Sequence, residues 1–107
     1  MQKVTNNVIY LTRGDSAGFD VTIWNGESIY DYSNDTVKMT VKRSLADRNP
    51  VIQKTVNAQG KIVLEPEDTK DLPAGDYYYD LELTKEDGTI DTVIIPTIFT
   101  IGPDVTN

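Results

Sequence analysis

The chemistry open to this chain is narrowed by two absences. The 107 residues contain no cysteine and no histidine, which removes thiolate nucleophiles and metal sites, disulfides, the commonest general base and the commonest metal ligand. Carboxylates, aromatics and one recognition-like motif remain. Arg13-Gly14-Asp15-Ser16 matches a cell-adhesion tetrapeptide, which as a ligand would stand at the tip of a long exposed loop with both charged side chains splayed. Its setting differs. Apolar alternation runs to Thr12 and resumes near Ala17 or Gly18, so these residues connect two strands, with Gly14 supplying positive φ and Asp15 capping its own turn. A match this short arises easily by chance, and the turn is the stronger reading.

Acidic side chains cluster twice: Asp31, Asn34 and Asp35 in one loop, and Glu65, Glu67, Asp68 and Asp71 in another. A calcium loop needs ligands at defined spacing around a glycine bend, and neither stretch has the EF-hand pattern, so solvated loops are the default. Paired carboxylates could also serve a glycosidase, but a small sandwich offers no deep cleft for a sugar ring. No catalytic, cofactor or metal site is therefore expected. Trp24, Tyr30, Tyr32 and Tyr78 could form a carbohydrate-stacking platform; aromatics that cover strand edges and staple loops are the commoner arrangement.

Net charge is -7, which repels a phosphate backbone on average and argues against nucleic-acid binding. No apolar run approaches a membrane span, and the first residues lack the apolar segment of a signal peptide, so synthesis in the cytoplasm without membrane association is expected. The charges are segregated along the chain. From Lys38 to Lys61 lie Lys38, Lys42, Arg43, Arg48, Lys54 and Lys61 with only Asp47, whereas from Glu65 onward eleven acids accompany Lys70 and Lys85. Two solvated surfaces are the plain interpretation; two complementary patches that order neighbouring molecules are the functional one.

The elements that position these groups are strands. Segments rich in Val, Ile, Thr and Tyr alternate at period two, and Gly, Asn, Asp and Pro punctuate them roughly every 8–12 residues. Strands are predicted over Val8 to Thr12, Gly18 to Trp24, Ser28 to Tyr30, Thr36 to Arg43, Val51 to Val56, Lys61 to Glu65, Asp76 to Thr84 and Thr89 toward Ile101. Asn25-Gly26 and Glu86-Asp87-Gly88 are hairpin signals, and Pro66 to Asp71 has room for one turn of helix. Leu72-Pro73-Ala74-Gly75-Asp76-Tyr77 has the form of a tyrosine corner, with the Tyr77 hydroxyl bonding upstream backbone. One domain over residues 1–107 is expected, an immunoglobulin-like antiparallel β-sandwich of about seven or eight strands, with 1–6 and 103–107 as loosely ordered tails.

Ile9-Tyr10-Leu11-Thr12-Arg13-Gly14-Asp15, Gly75-Asp76-Tyr77-Tyr78-Tyr79-Asp80-Leu81, Asp87-Gly88-Thr89 with Thr92-Val93-Ile94, and Phe99-Thr100-Ile101 with Asp104-Val105-Thr106 together resemble the N-terminal domain of baseplate upper proteins from tailed phages of Gram-positive bacteria. The resemblance spans nearly the whole chain and rests on turn and strand signatures. It implies an immunoglobulin-like sandwich that serves assembly of the tail tip: a structural, non-catalytic protein of a phage or prophage, located in the virion, with tail proteins or further copies of itself as partners. Family members often continue into receptor-binding domains, whereas this sequence stops at Asn107, and Pro96-Thr97 stands where the family tends to have a glycine. Docking within a particle is therefore the expected role. The competing class is a bacterial immunoglobulin-like adhesion or carbohydrate-binding module, which would be expected inside a larger secreted chain.

The last strand departs from alternation. Strict period two would place Ile94 and Ile98 on the face opposite Val93, Ile95, Phe99 and Ile101, so both faces are apolar and one must be covered by a partner or by the chain's own termini. Pro96 cannot donate a ladder hydrogen bond and should mark a bulge or an edge. Ile94, Pro96 and Ile98, together with Lys38, Lys42 and Arg43 of the basic stretch, are thus the candidate interface. Gly14, Asp15 and Tyr77 are the candidate structural residues.

Overall fold

A computed structural model describes the backbone of residues 2–5 and 7–105 and the side chains of 7–105. Among the described residues there are ten strands and one turn of helix. Six strands form one sheet: β1 (Gln2–Thr5), β2 (Val8–Thr12), β10 (Ile90–Gly102), β9 (Gly75–Thr84), β6 (Thr36–Lys42) and β7 (Ile52–Thr55), in that spatial order. β3 (Ala17–Asp20) pairs with β8 (Lys61–Leu64), and β4 (Trp24–Asn25) pairs with β5 (Ser28–Ile29). The fold is the all-β sandwich that alternation implies.

β9 shows why it forms. Tyr77, Tyr79, Leu81 and Leu83 are buried while the residues between them are not, and Val37, Met39 and Val41 repeat the pattern on β6. Adjacent strands in register bring both sets to one face, where they meet Ile62 and Leu64 of β8 in a single core that also holds Ile9, Leu11, Phe99 and Ile101. The Tyr79 and Phe99 rings meet edge to face at 6.2 Å and 78°.

Three expectations about the strands are corrected. The count is ten instead of seven or eight, because Gln2–Thr5 pairs with β2 where a tail was expected, and because the stretch from Gly18 to Trp24 is not one strand. β3 ends at Asp20, Val21 N–H bonds the Gly60 carbonyl, and Trp24 belongs to a separate ribbon. The ribbon's turn is centred on Gly26 and Glu27, not on Asn25-Gly26: Asn25 pairs with Ser28, and only Gly26 has positive φ, at 65°, as a glycine-first hairpin turn requires. Finally, the sheet is mixed. β2 and β10 run parallel, Ile9 beside Phe99 and Leu11 beside Ile101. A parallel pair needs a long crossover, and here the rest of the domain is that crossover.

At the other end of the expected tails, Asp104 is tied down. Arg13 Nε donates to Asp104 Oδ1 at 2.8 Å, and this bond holds the Asp104 carboxyl below the usual range. Met1, Asn6, Thr106 and Asn107 lie outside the described residues.

Candidate docking surface

The Arg13-Gly14-Asp15-Ser16 stretch is a turn. Asp15 N–H bonds the Thr12 carbonyl at 3.1 Å and Gly14 has φ of 83°, the conformation that favours glycine at the third residue of such a turn. Arg13 folds over the C-terminal segment, adding a bond to the Leu72 carbonyl at 3.3 Å. Gly14 N–H donates to Thr69 Oγ1 at 2.8 Å, and Thr69 is fully buried. Thr69 sits in α1 (Pro66–Thr69), the expected helical turn, closed by a reciprocal capping box between Glu65 and Asp68. Nothing in the sequence pattern singles out Thr69, because its partner is 55 residues away. Gly14→Val, which puts a β-branched residue at positive φ, and Thr69→Val, which leaves a buried donor without its acceptor, are each expected to cost about 1–2 kcal/mol by urea denaturation.

The tyrosine corner is present. Tyr77 Oη donates to the Pro73 carbonyl at 2.7 Å, and Arg43 lies 4.6 Å above the Tyr77 ring while donating to the Asp76 carbonyl. Arg43 therefore serves the corner instead of a charged docking patch. Tyr77→Phe is expected to lower stability by about 0.5–1.5 kcal/mol, read as a shifted denaturant midpoint.

The other candidate groups are committed to their own loops. Asp31 accepts from Ser33 N–H, which holds its carboxyl low; Asp35 accepts from Tyr30 Oη and Glu86 N–H, and its bond to Tyr30 pushes that phenol up to about 12. Tyr32 Oη donates to the Val21 carbonyl at 2.6 Å, and Asn57 Oδ1 accepts from both Gln59 and Lys61 N–H. A cleft of about 710 Å³ runs between the 30–35 and 57–60 loops, but these bonds occupy the polar groups that would read a ligand. The four aromatics form no single platform: Tyr78 lies on the outer face of the large sheet across from Lys42, whereas Tyr30 borders one depression with Trp24 and another with Tyr32.

The last strand carries the main correction. Opposite β9, Thr92 pairs with Glu82, Ile94 with Leu81 and Thr97 with Tyr79, so β10 gains a residue at Val93 and another in the Ile95-Pro96 step. Each bulge reverses the facing of the residues beyond it. Ile94 consequently shares the inward face of Leu81 and packs against the core, leaving the proposed surface. Ile98 pairs with Tyr78 and faces out, 37% exposed, and Ile95, which alternation had placed with Phe99, is 73% exposed. Pro96 sits at the second bulge, as its missing donor requires. Of β10, only Phe99 to Gly102 pair with β2. The strand from Ile90 to Ile98 is therefore flanked by β9 on one side alone among the described pairings.

Charge segregation in sequence becomes interleaving in space. β6 lies beside β9, which places Lys38 across from Glu82, Thr40 from Asp80 and Lys42 from Tyr78. Lys54 pairs with Asp68 at 3.0 Å and Lys61 with Asp20 at 2.6 Å. Basic and acidic residues thus form adjacent columns on the outer sheet face, not separate patches. Burial, with help from Glu82 and against Lys42 and Lys38, raises the Asp80 carboxyl above its usual range. Its ionised form therefore opposes folding at neutral pH. Asp80→Asn is expected to raise the melting temperature at pH 7, and the gain should vanish below the unfolded carboxyl pKa of about 3.9, where wild-type Asp80 is protonated in both states.

The outer face also carries a depression of about 160 Å³ bordered by Thr40, Lys42, Leu45, Tyr78, Asp80 and Pro96. Leu45 is 62% exposed. Apolar and charged groups meet here on one open surface, which can dock a protein but aligns no nucleophile with a base. No family model and no curated protein matches the chain.

Proposed function

We propose that this domain is a non-catalytic docking module of a phage or prophage tail, acting in the virion through protein–protein contacts. The observation that carries the docking role is the bulged stretch of β10, where Ile95, Pro96 and Ile98 stand exposed before the strand begins to pair with β2. A proline and two bulges are devices that stop a strand edge from pairing promiscuously, while the isoleucines beside them keep the site adhesive. The tail assignment draws on the strand and turn signatures shared with baseplate upper proteins.

Co-expression with the products of the genes that neighbour its own, any tail proteins among them, tests this reading. Wild type should co-purify with at least one of them, and Ile95→Lys/Ile98→Lys should lose that partner while keeping its melting temperature within a few degrees. Equal recovery of both would exclude this surface, and retention on a sugar array instead of tail proteins would favour a carbohydrate-binding module.

A further inference from the structure

We infer that the outer face of the six-stranded sheet is self-complementary and pairs with the same face of a second copy. The inference rests on the register of the two charged columns. Along β6 the outward residues are Lys38, Thr40 and Lys42, and along β9, at the same heights, Glu82, Asp80 and Tyr78. Outside them, Thr55 and Gln53 of β7 align with Lys38 and Thr40, and Val51, whose N–H bonds the Val41 carbonyl, precedes them at the height of Lys42. On the far side of β9, Ile98 stands at the height of Tyr78 and Thr92 at that of Glu82.

A two-fold axis running between the facing sheets, parallel to the strands and above the β6–β9 midline, exchanges the two columns and preserves height. Lys38 then faces the second copy's Glu82, Thr40 its Asp80, and Lys42 its Tyr78 ring. Ile98 faces Val51, an apolar contact between residues 37% and 38% exposed. Each contact occurs twice, as a two-fold interface requires. The alternative in-plane axis, perpendicular to the strands, would set lysine on lysine and acid on acid, so charge selects the first arrangement. Face-to-face sheets tolerate the angle of about 30° that twist imposes.

The geometry also sets the strength. Four strand columns spaced about 4.8 Å and about 20 Å long give roughly 400 Å² of projected contact per copy, about half of what a stable specific interface buries per partner. The pair is therefore weak and exchanging. The net charge of -7 opposes association at long range, but at about 0.1 M salt the Debye length is about 10 Å, so the facing columns decide the outcome. Association should be greatest near that ionic strength and fall toward about 1 M, where the Debye length is about 3 Å.

The test uses purified chain and two variants. Lys38→Glu/Lys42→Glu makes both columns acidic; Asp80→Lys/Glu82→Lys makes both basic. Sedimentation from about 10 µM to about 1 mM at about 0.1 M salt should show concentration-dependent dimer for wild type, association weakened by about tenfold or more for each variant alone, and a mixed pair tighter than wild type when the two are combined. The mixture guards against misfolding, since an unfolded variant forms no specific pair. Wild type that stays monomeric at about 1 mM, variants that dimerise as wild type does, or folded variants that fail to pair on mixing would each overturn the inference. The inference shares Ile98 with the tail reading, but the outcomes separate the two: a chain that dimerises but ignores tail proteins sinks only the latter, and a monomer that binds them sinks only the former.

Discussion

Truncating Phe99 to alanine is expected to cost about 3–5 kcal/mol, as large aromatic deletions in closed cores do. Phe99 has no exposed surface, and its ring meets the edge of Tyr79 on β9. It also opens the stretch from Phe99 to Ile101 where β10 is paired on both sides, beside Ile9 of the parallel β2 and Tyr77 of the antiparallel β9. The cavity would open at the seam that ties the chain's beginning to its end. Tyr79 could not swing in to fill it, because burial and the bond from its hydroxyl to the Asn7 carbonyl fix the ring. Against a typical total of about 5–15 kcal/mol, the variant should melt some 15 °C or more lower. A loss below about 1 kcal/mol, measured by urea denaturation, would mean that the parallel seam contributes little to the fold.

How far such features can be read in advance depends on the range of the interaction. β9 is legible residue by residue, because a strand with one buried face must alternate. The Tyr77 corner and the Gly14 turn are legible as well: both are closed within a few residues, and their chemistry is local. The parallel pairing of β2 with β10 is not legible, since alternation fixes which face a residue takes and says nothing of strand direction. Thr69 is invisible for a similar reason, its acceptor role arising only when α1 docks under a turn far away in sequence. The charge columns show the same limit. Lys38 and Glu82 lie far apart along the chain, and only the pairing of β6 with β9 makes them neighbours. At the candidate surface Pro96 signals a bulge, but a second bulge at Val93 carries no proline or glycine to mark it. Alternation counted from Ile98 back to Ile94 crosses the Ile95-Pro96 bulge, and so it misplaces Ile94.

The bulge at Ile95-Pro96 produces the sharpest separation between nearby residues. Ile94→Asp is expected to destabilise the domain by about 2–4 kcal/mol, because it sets a carboxylate against the core beside Leu81. Ile98→Asp should stay within about 1 kcal/mol, since that side chain already meets solvent on the outer face. If β10 alternated without bulges, the two isoleucines would share a face and the variants would behave alike. Urea denaturation of both therefore measures the register directly. Ile95→Asp supplies a control of the opposite sense: unbroken alternation would place Ile95 inward with Phe99, yet at 73% exposure the change should be nearly silent. A large loss at Ile95 with none at Ile94 would restore the simple strand, and with it Ile94 would return to the exposed surface. Large loss at Ile94 alone leaves Ile95 and Ile98 as the apolar groups that β10 offers to a partner, and it explains what the Ile95-Pro96 bulge does. It turns Ile94 into the core while leaving Ile95 and Ile98 outward.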